Sequence, residues 1–221
     1  MIFKDRRQAG RFLAKNLLKF RGKQPIVMAL PRGGVPVAYE VAHALAAPLD
    51  LVLVRKISAP HQPEFAIGAI AEGPTPEPVI DPRLIQALEV SEDYLEAATA
   101  RALAEIERRR AVYLGTRKRV ELRGRVVIVV DDGIATGATM LAALRAVRKH
   151  GPARLVMAVP VAAEGPLEKF RTEADQIECL HVPEVLRAVG HFYHDFSQLE
   201  DQEVIDLLAA NTMDIGHVRR R

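Results

Sequence analysis

The chain has 221 residues, a mass of 24.4 kDa, 49% hydrophobic residues and a formal net charge of +3. That much apolar material can bury a real core and excludes an intrinsically disordered chain. The single cysteine, Cys179, excludes an intrachain disulfide and the cysteine-based zinc patterns. No apolar run approaches the roughly 18 residues of a membrane span, and MIFKDRRQAG lacks a signal peptide's apolar segment, so a cytoplasmic protein is expected.

In chain order, Asp5 is a candidate N-cap, and Ala9, Phe12, Leu13, Leu17 and Phe20 recur near helical spacing, which predicts an amphipathic helix. Ile26 to Leu30 predicts a short strand, PRGG follows, Val35 to Ala46 predicts a helix closed by Pro48, and Leu49 to Val54 predicts the next strand. Strand, turn, helix and strand make a βαβ unit. APHQPEF and EGPTPEP read as a Pro-rich loop, and about Ser91 to Tyr113 as one long helix, within an insert at about 91–119 expected to project beside the sheet.

The stretch VVIVVDDGIATGAT at 126–139 opens the second βαβ unit. Val126 to Val130 show no alternation, as expected of a parallel strand covered on both faces. A helix from about Thr139 to Lys149, Gly151-Pro152 and a strand Leu155 to Val159 complete the unit. GPLEKFRTEA predicts a further helix, Ile177 to Val182 a last strand, and VGHFYHDFSQLEDQEVIDLLAAN an aromatic loop with a short helix. The fold class is α/β, a parallel sheet flanked by helices.

Ligands of such sheets lie outside the carboxyl ends of the strands. Two loops there suit anions. Gly133 to Thr139 brings backbone amides to a helix start, with hydroxyls from Thr136 and Thr139, and Pro31-Arg32-Gly33-Gly34 adds a guanidinium. Between them, Asp131 and Asp132 repel each other unless a cation or a polyhydroxyl group satisfies both. No GxxxxGK[ST], no GxGxxG after a strand and no GxSxG is present, which argues against ATPase, dinucleotide-binding and serine-hydrolase readings.

VVIVVDDGIATGAT resembles the signature of the type I phosphoribosyltransferases, which bind 5-phosphoribosyl 1-pyrophosphate. ALPRGG resembles the same family's pyrophosphate loop, often built around a non-proline cis peptide. FKDRRQAG and VGHFYHDFSQLEDQEV resemble a bacterial subgroup described only as predicted phosphoribosyltransferases. The resemblance covers nearly the whole chain as a single domain, with the helical insert at about 91–119 and a small C-terminal hood at about 183–212. It implies that Asp131 and Asp132 hold the ribose and that Ala135, Thr136, Gly137, Ala138 and Thr139 hold the 5-phosphate. Pro31, Arg32, Gly33, Gly34, Arg55 and Lys56 would then meet the diphosphate with Mg²⁺, which is bound mainly through the substrate. Asp131, Asp132, Arg32 and Lys56 are the implied catalytic residues. Phe192, Tyr193 and Phe196 are candidates to stack on an acceptor ring. Hypoxanthine–guanine enzymes of the class carry an aspartate where this chain has Ala135, so that route to a purine proton is missing.

The implied activity is transfer of the phosphoribosyl group to a nucleobase-like acceptor, with a homodimer as the default assembly. A rival reading draws on the basic stretch Arg108, Arg109, Arg110, Arg117, Lys118, Arg119, Arg123 and Arg125 and on Arg219, Arg220 and Arg221. There the same fold senses phosphoribosyl pyrophosphate while the cations hold nucleic acid.

Overall fold

A computed structural model describes residues 1–73 and 75–218. Five parallel strands form the central sheet: β1 (Ile26–Ala29), β2 (Leu49–Leu51), β6 (Val126–Val130), β7 (Arg154–Val161) and β8 (Gln176–His181), in the order β2-β1-β6-β7-β8. Both faces are covered. Val27, Ala29, Ile128 and Val130 face one apolar cluster with helices α1 (Arg6–Leu17), α2 (Gly34–Leu45) and α7 (Asp201–Val218). Ile26, Met28, Val127 and Val129 face the other, with α5 (Ala138–Arg148) and α6 (Glu164–Phe170). Burial on both faces is why VVIVV shows no alternation.

The local signals act as expected at the helix ends. Asp5 accepts from the Gln8 amide at 2.7 Å and starts α1, and Ser91 accepts from the Tyr94 amide at 3.2 Å and starts α4 (Glu92–Leu114). Asp81 caps the short α3 (Pro82–Ala87) in the same way. Two expectations need correction. The predicted strand from Leu49 to Val54 ends at Leu51, and of the Pro-rich segment APHQPEF lies in a β-hairpin, whereas the described residues of EGPTPEP stay outside the strands. The hairpin belongs to a three-stranded antiparallel sheet of β3 (Val54–Ala59), β4 (Gln62–Ala71) and β5 (Val79–Ile80). Proline cannot donate to a ladder, but Pro60 sits in the tight turn and Pro63 at the start of β4, so FAIGAIA pairs freely with β3.

Nor does α4 project from the fold. Ala98, Ala102 and Ile106, four residues apart, bury one narrow stripe in the same cluster as β1 and β6, and Tyr113 and Leu114 continue it. The tail helix α7 packs likewise through Val204 and Leu208, and its buried Asn211 accepts from the Leu49 amide at 2.9 Å and donates to the Ala47 carbonyl, satisfying the edge of β2. Among the described residues no helix is long and apolar enough to cross a membrane.

Ile106 is 3% exposed. Ile106→Ala should therefore cost roughly 2 to 5 kcal/mol in urea unfolding of the whole chain. A loss below about 0.5 kcal/mol, typical of surface positions, would mean that α4 is not part of the core.

Candidate active site

The chain leaves β1 toward β2 on one side, and it leaves β6 toward β7 and β8 on the other. Adjacent strands whose connections diverge open a crevice at their carboxyl ends. Into it fall the two predicted loops. The Leu30 amide donates to the Val130 carbonyl at 2.9 Å, so PRGG and Asp131-Asp132 start from the same level.

The glycines of PRGG are explained by contact. Gly33 has ordinary helical angles, φ −56° and ψ −37°. A Cβ on it would lie 2.1 Å from Oδ2 of Asp132, and one on Gly34 would lie 2.8 Å from the Val130 carbonyl oxygen and 2.9 Å from the Asp131 Cα. These positions need glycine for close approach rather than for unusual backbone angles. The peptide between Pro31 and Arg32 is cis. Gly137 is different: its φ of +86° requires glycine, and it is the residue before α5. Ala135 and Thr136 are exposed, Ala138 and Thr139 half-buried, and the amides of the first turn of α5 lack intrahelical partners.

Both carboxyls resist ionisation. Burial, then the neighbouring charge of Asp132, pushes the Asp131 carboxyl well above the usual carboxylate range; the Asp132 amide and Arg6 work against this. Burial also raises Asp132, opposed chiefly by Arg6, whose Nε donates to Oδ2 at 2.8 Å. Arg32 lies 3.7 Å from Asp201 at the start of α7. Tyr113 at the end of α4 donates to Asp201 at 2.6 Å and remains protonated, since burial and that bond push its hydroxyl up to about 12.

Other predicted site residues lie apart from the crevice. Arg55 and Lys56 are exposed on β3 of the antiparallel sheet. Lys56 lines a cavity of about 590 Å³ with Thr136, Gly137 and Ala138, which brings it toward the loop before α5. Arg55 lines a separate cleft with Arg101 and Glu105. The aromatic trio is largely occupied. Tyr193 is 6% exposed, with its ring centroid 5.4 Å from that of Phe3 and 5.1 Å from that of Phe196, and its hydroxyl donates to the Asp132 carbonyl. Phe196 carries the Arg6 guanidinium 3.8 Å over its ring, and Phe192 packs 5.5 Å from His181. Arg6, Asp201 and Tyr113 were not legible as site residues, because each reaches the crevice from an element remote in sequence.

A family model for the phosphoribosyl transferase domain matches residues 3–197. The chain belongs to that family. A Mycobacterium tuberculosis protein of strain H37Rv, named provisionally as a phosphoribosyl transferase, is 42% identical over 207 residues, 94% of this chain and 46% of its own length. The chain spans about half the length of the curated relatives it matches. A uracil phosphoribosyltransferase of Aquifex aeolicus is 29% identical over 84 residues, 37% of this chain and 40% of its own. The crystal structure of a Thermus thermophilus protein, TT1426, superposes with a TM-score of 0.80 at 43% identity, covering 95% of this chain and 99% of that one. Phosphoribosyl transferase membership therefore takes in every element from the N-terminal segment to the aromatic tail.

A carboxyl raised by burial subtracts stability wherever it is ionised. Its favourable contribution is complete below the unfolded value of about 4 and is lost as pH rises through the raised folded value. Asp131→Asn should raise the melting temperature of the ligand-free protein at pH 7, with the gain shrinking as pH falls toward about 4. Asp132→Asn should gain less, because it also weakens the bond to Arg6. Melts from pH 4 to 8 check both, and a pH-independent gain for Asp131→Asn would contradict the account.

Proposed function

We propose that the chain is a phosphoribosyltransferase: a nitrogen of a nucleobase-like acceptor displaces pyrophosphate from C1 of 5-phosphoribosyl 1-pyrophosphate. The observation that carries this reading is the seating of Gly33 and Gly34 on Asp131 and Asp132 at the divergence of β1 and β6. It sets an anion loop against a hydroxyl-binding pair, with a second anion loop, closed by Gly137, running into α5.

In this reading Asp131 and Asp132 accept hydrogen bonds from the ribose hydroxyls, and amides of residues 135–139 with the α5 dipole hold the 5-phosphate. Arg32 swings from the exposed Asp201 to the diphosphate, where a buried, doubly bonded partner would have held it back. As the bond at C1 breaks, the sugar gains positive and the leaving group negative charge, so Arg32 and the loop amides act more on the transition state than on the ground state. Mg²⁺ enters this reading with the donor, bound mainly through its diphosphate. When bound, it neutralises diphosphate oxygens and eases their departure.

The nucleic-acid reading is less well supported. Arg108 and Arg109 bind Glu105, Arg110 and Arg119 bind Glu72, and Arg117 and Arg125 donate to the carbonyls of Leu49 and Gln24. These cations are largely spent within the fold. Arg219, Arg220 and Arg221 lie outside the described residues.

The test is an isotope-labelled ribose donor with Mg²⁺ and a nucleobase panel, read as labelled product and released pyrophosphate. Base-dependent release is expected, and donor binding without turnover on any base would favour a sensor. In calorimetry Arg32→Ala should weaken pyrophosphate more than ribose 5-phosphate, by roughly 1.5 to 3 kcal/mol for a lost charge-assisted contact. Equal losses would remove Arg32 from the diphosphate.

A further inference from the structure

Arg6 stands in a basic run with Lys4, Arg7 and Arg11, yet its setting differs from theirs. Arg7 and Arg11, with side chains 53% and 54% exposed, meet Glu40 of α2. Arg6 turns inward: its side chain is 11% exposed and that of Asp132 13%, with 2.8 Å between Nε and Oδ2. The guanidinium also donates through Nη1 to the Ser197 carbonyl at 2.9 Å and lies 3.8 Å over the Phe196 ring.

Its base is as fixed as its head. Asp5 caps the helix that Arg6 begins. The segment before it is tied to the tail by three backbone bonds: the Phe3 amide to the Phe192 carbonyl, the His194 amide to the Phe3 carbonyl, and the Asp195 amide to the Lys4 carbonyl. An arginine held by a stacked ring, a carbonyl and its own helix cap has already lost its rotamer freedom, so little is left to lose when a ligand arrives.

The groups around Asp132 leave Arg6 a definite task. Asp131, from β6, repels the carboxylate. Tyr193, from the tail, gives its hydroxyl to the backbone carbonyl, and burial keeps that hydroxyl protonated. Asp195, also on the tail, interacts with Arg6. Gly33 and Gly34 contribute uncharged backbone. Among these neighbours Arg6 is the cation.

We propose that Arg6 is a positioning residue of the donor site: clamped by Phe196 and Ser197, it fixes Asp132 as an ionised acceptor for the ribose and ties donor binding to the N-terminal segment and tail. This rests on the ribose assignment made above. It gives the aromatic tail a role other than stacking on an acceptor, since Phe196 supports the arginine that supports the carboxylate.

The test is calorimetric titration of Mg²⁺ and phosphoribosyl pyrophosphate between pH 5 and 9 into wild type, Arg6→Gln, Arg6→Lys, Asp132→Asn and the Arg6→Gln/Asp132→Asn double variant, with thermal melts of each. Donor affinity should fall on the acid side as the Asp131–Asp132 pair takes a proton. Without Arg6 that limb should move to higher pH by about one unit, a loss of about tenfold at its foot. Arg6→Lys, which keeps the charge, should leave the limb near its wild-type position. In the Asp132→Asn background, Arg6→Gln should cost no further affinity. A lower melting temperature with an unmoved limb in Arg6→Gln would make Arg6 a structural staple and overturn the inference alone. Wild-type protein that binds no donor would overturn the proposed function, and the inference with it.

Discussion

Two adjacent parallel strands set the terms for the rest of the molecule. β1 and β6 end side by side, and the loop after one rests its backbone on the carboxylates after the other, where Gly33 and Asp132 leave no room for a Cβ. The PRGG loop thereby comes up against Asp131 and Asp132 with no intervening side chain. The remainder of the sheet, α1 and α2 on one face and α5 on the other hold those strand ends in register. A small shift of β1 against β6 would separate the loops or drive Gly33 into Asp132.

That arrangement leaves charge in poor surroundings, and the fold offsets it from a distance. Asp132 is met by Arg6 from the N-terminal helix, and Arg32 by Asp201 from the C-terminal one. The first contact is short and nearly buried, the second long and half exposed. The difference matters, because an ionic contact in high dielectric is weak and readily exchanged, whereas a desolvated one is costly to break. In the functional reading, Asp132 keeps its partner while Arg32 is free to move to the diphosphate. Tyr113 gives the long helix α4 a part in this, since it orients the carboxylate on which Arg32 rests.

The tail is likewise more than a cover. Its aromatics were candidates for an acceptor-stacking surface, yet Tyr193 is buried between Phe3 and Phe196, and Phe196 carries a guanidinium. Phe65 offers a contrast: 43% exposed, it lines the cavity shared by Lys56 and the loop before α5. The antiparallel sheet that carries it was concealed by Pro60 and Pro63, whose effect on pairing depends on whether they fall in the turn or in the ladder.

Much of the fold was written in short-range signals. Five apolar residues without alternation specify a doubly covered strand, Asp5 and Ser91 specify helix starts, and Asp131-Asp132 before a small-residue loop marks a ligand site, because each signal acts over a few residues of local geometry. The contacts that complete the site have no such signature. Arg6 and Asp132 are 126 residues apart, and an arginine in a basic run looks the same whether it faces solvent or a buried carboxylate. Gly33 reads as a turn glycine until a neighbouring strand places Asp132 against it. The sequence by itself determined the core strands of the parallel sheet, the helix starts at Asp5 and Ser91 and the residue types of the two loops. Only the tertiary structure decided which side chains those loops meet, because that choice depends on strand order and on how the two ends of the chain close over the sheet.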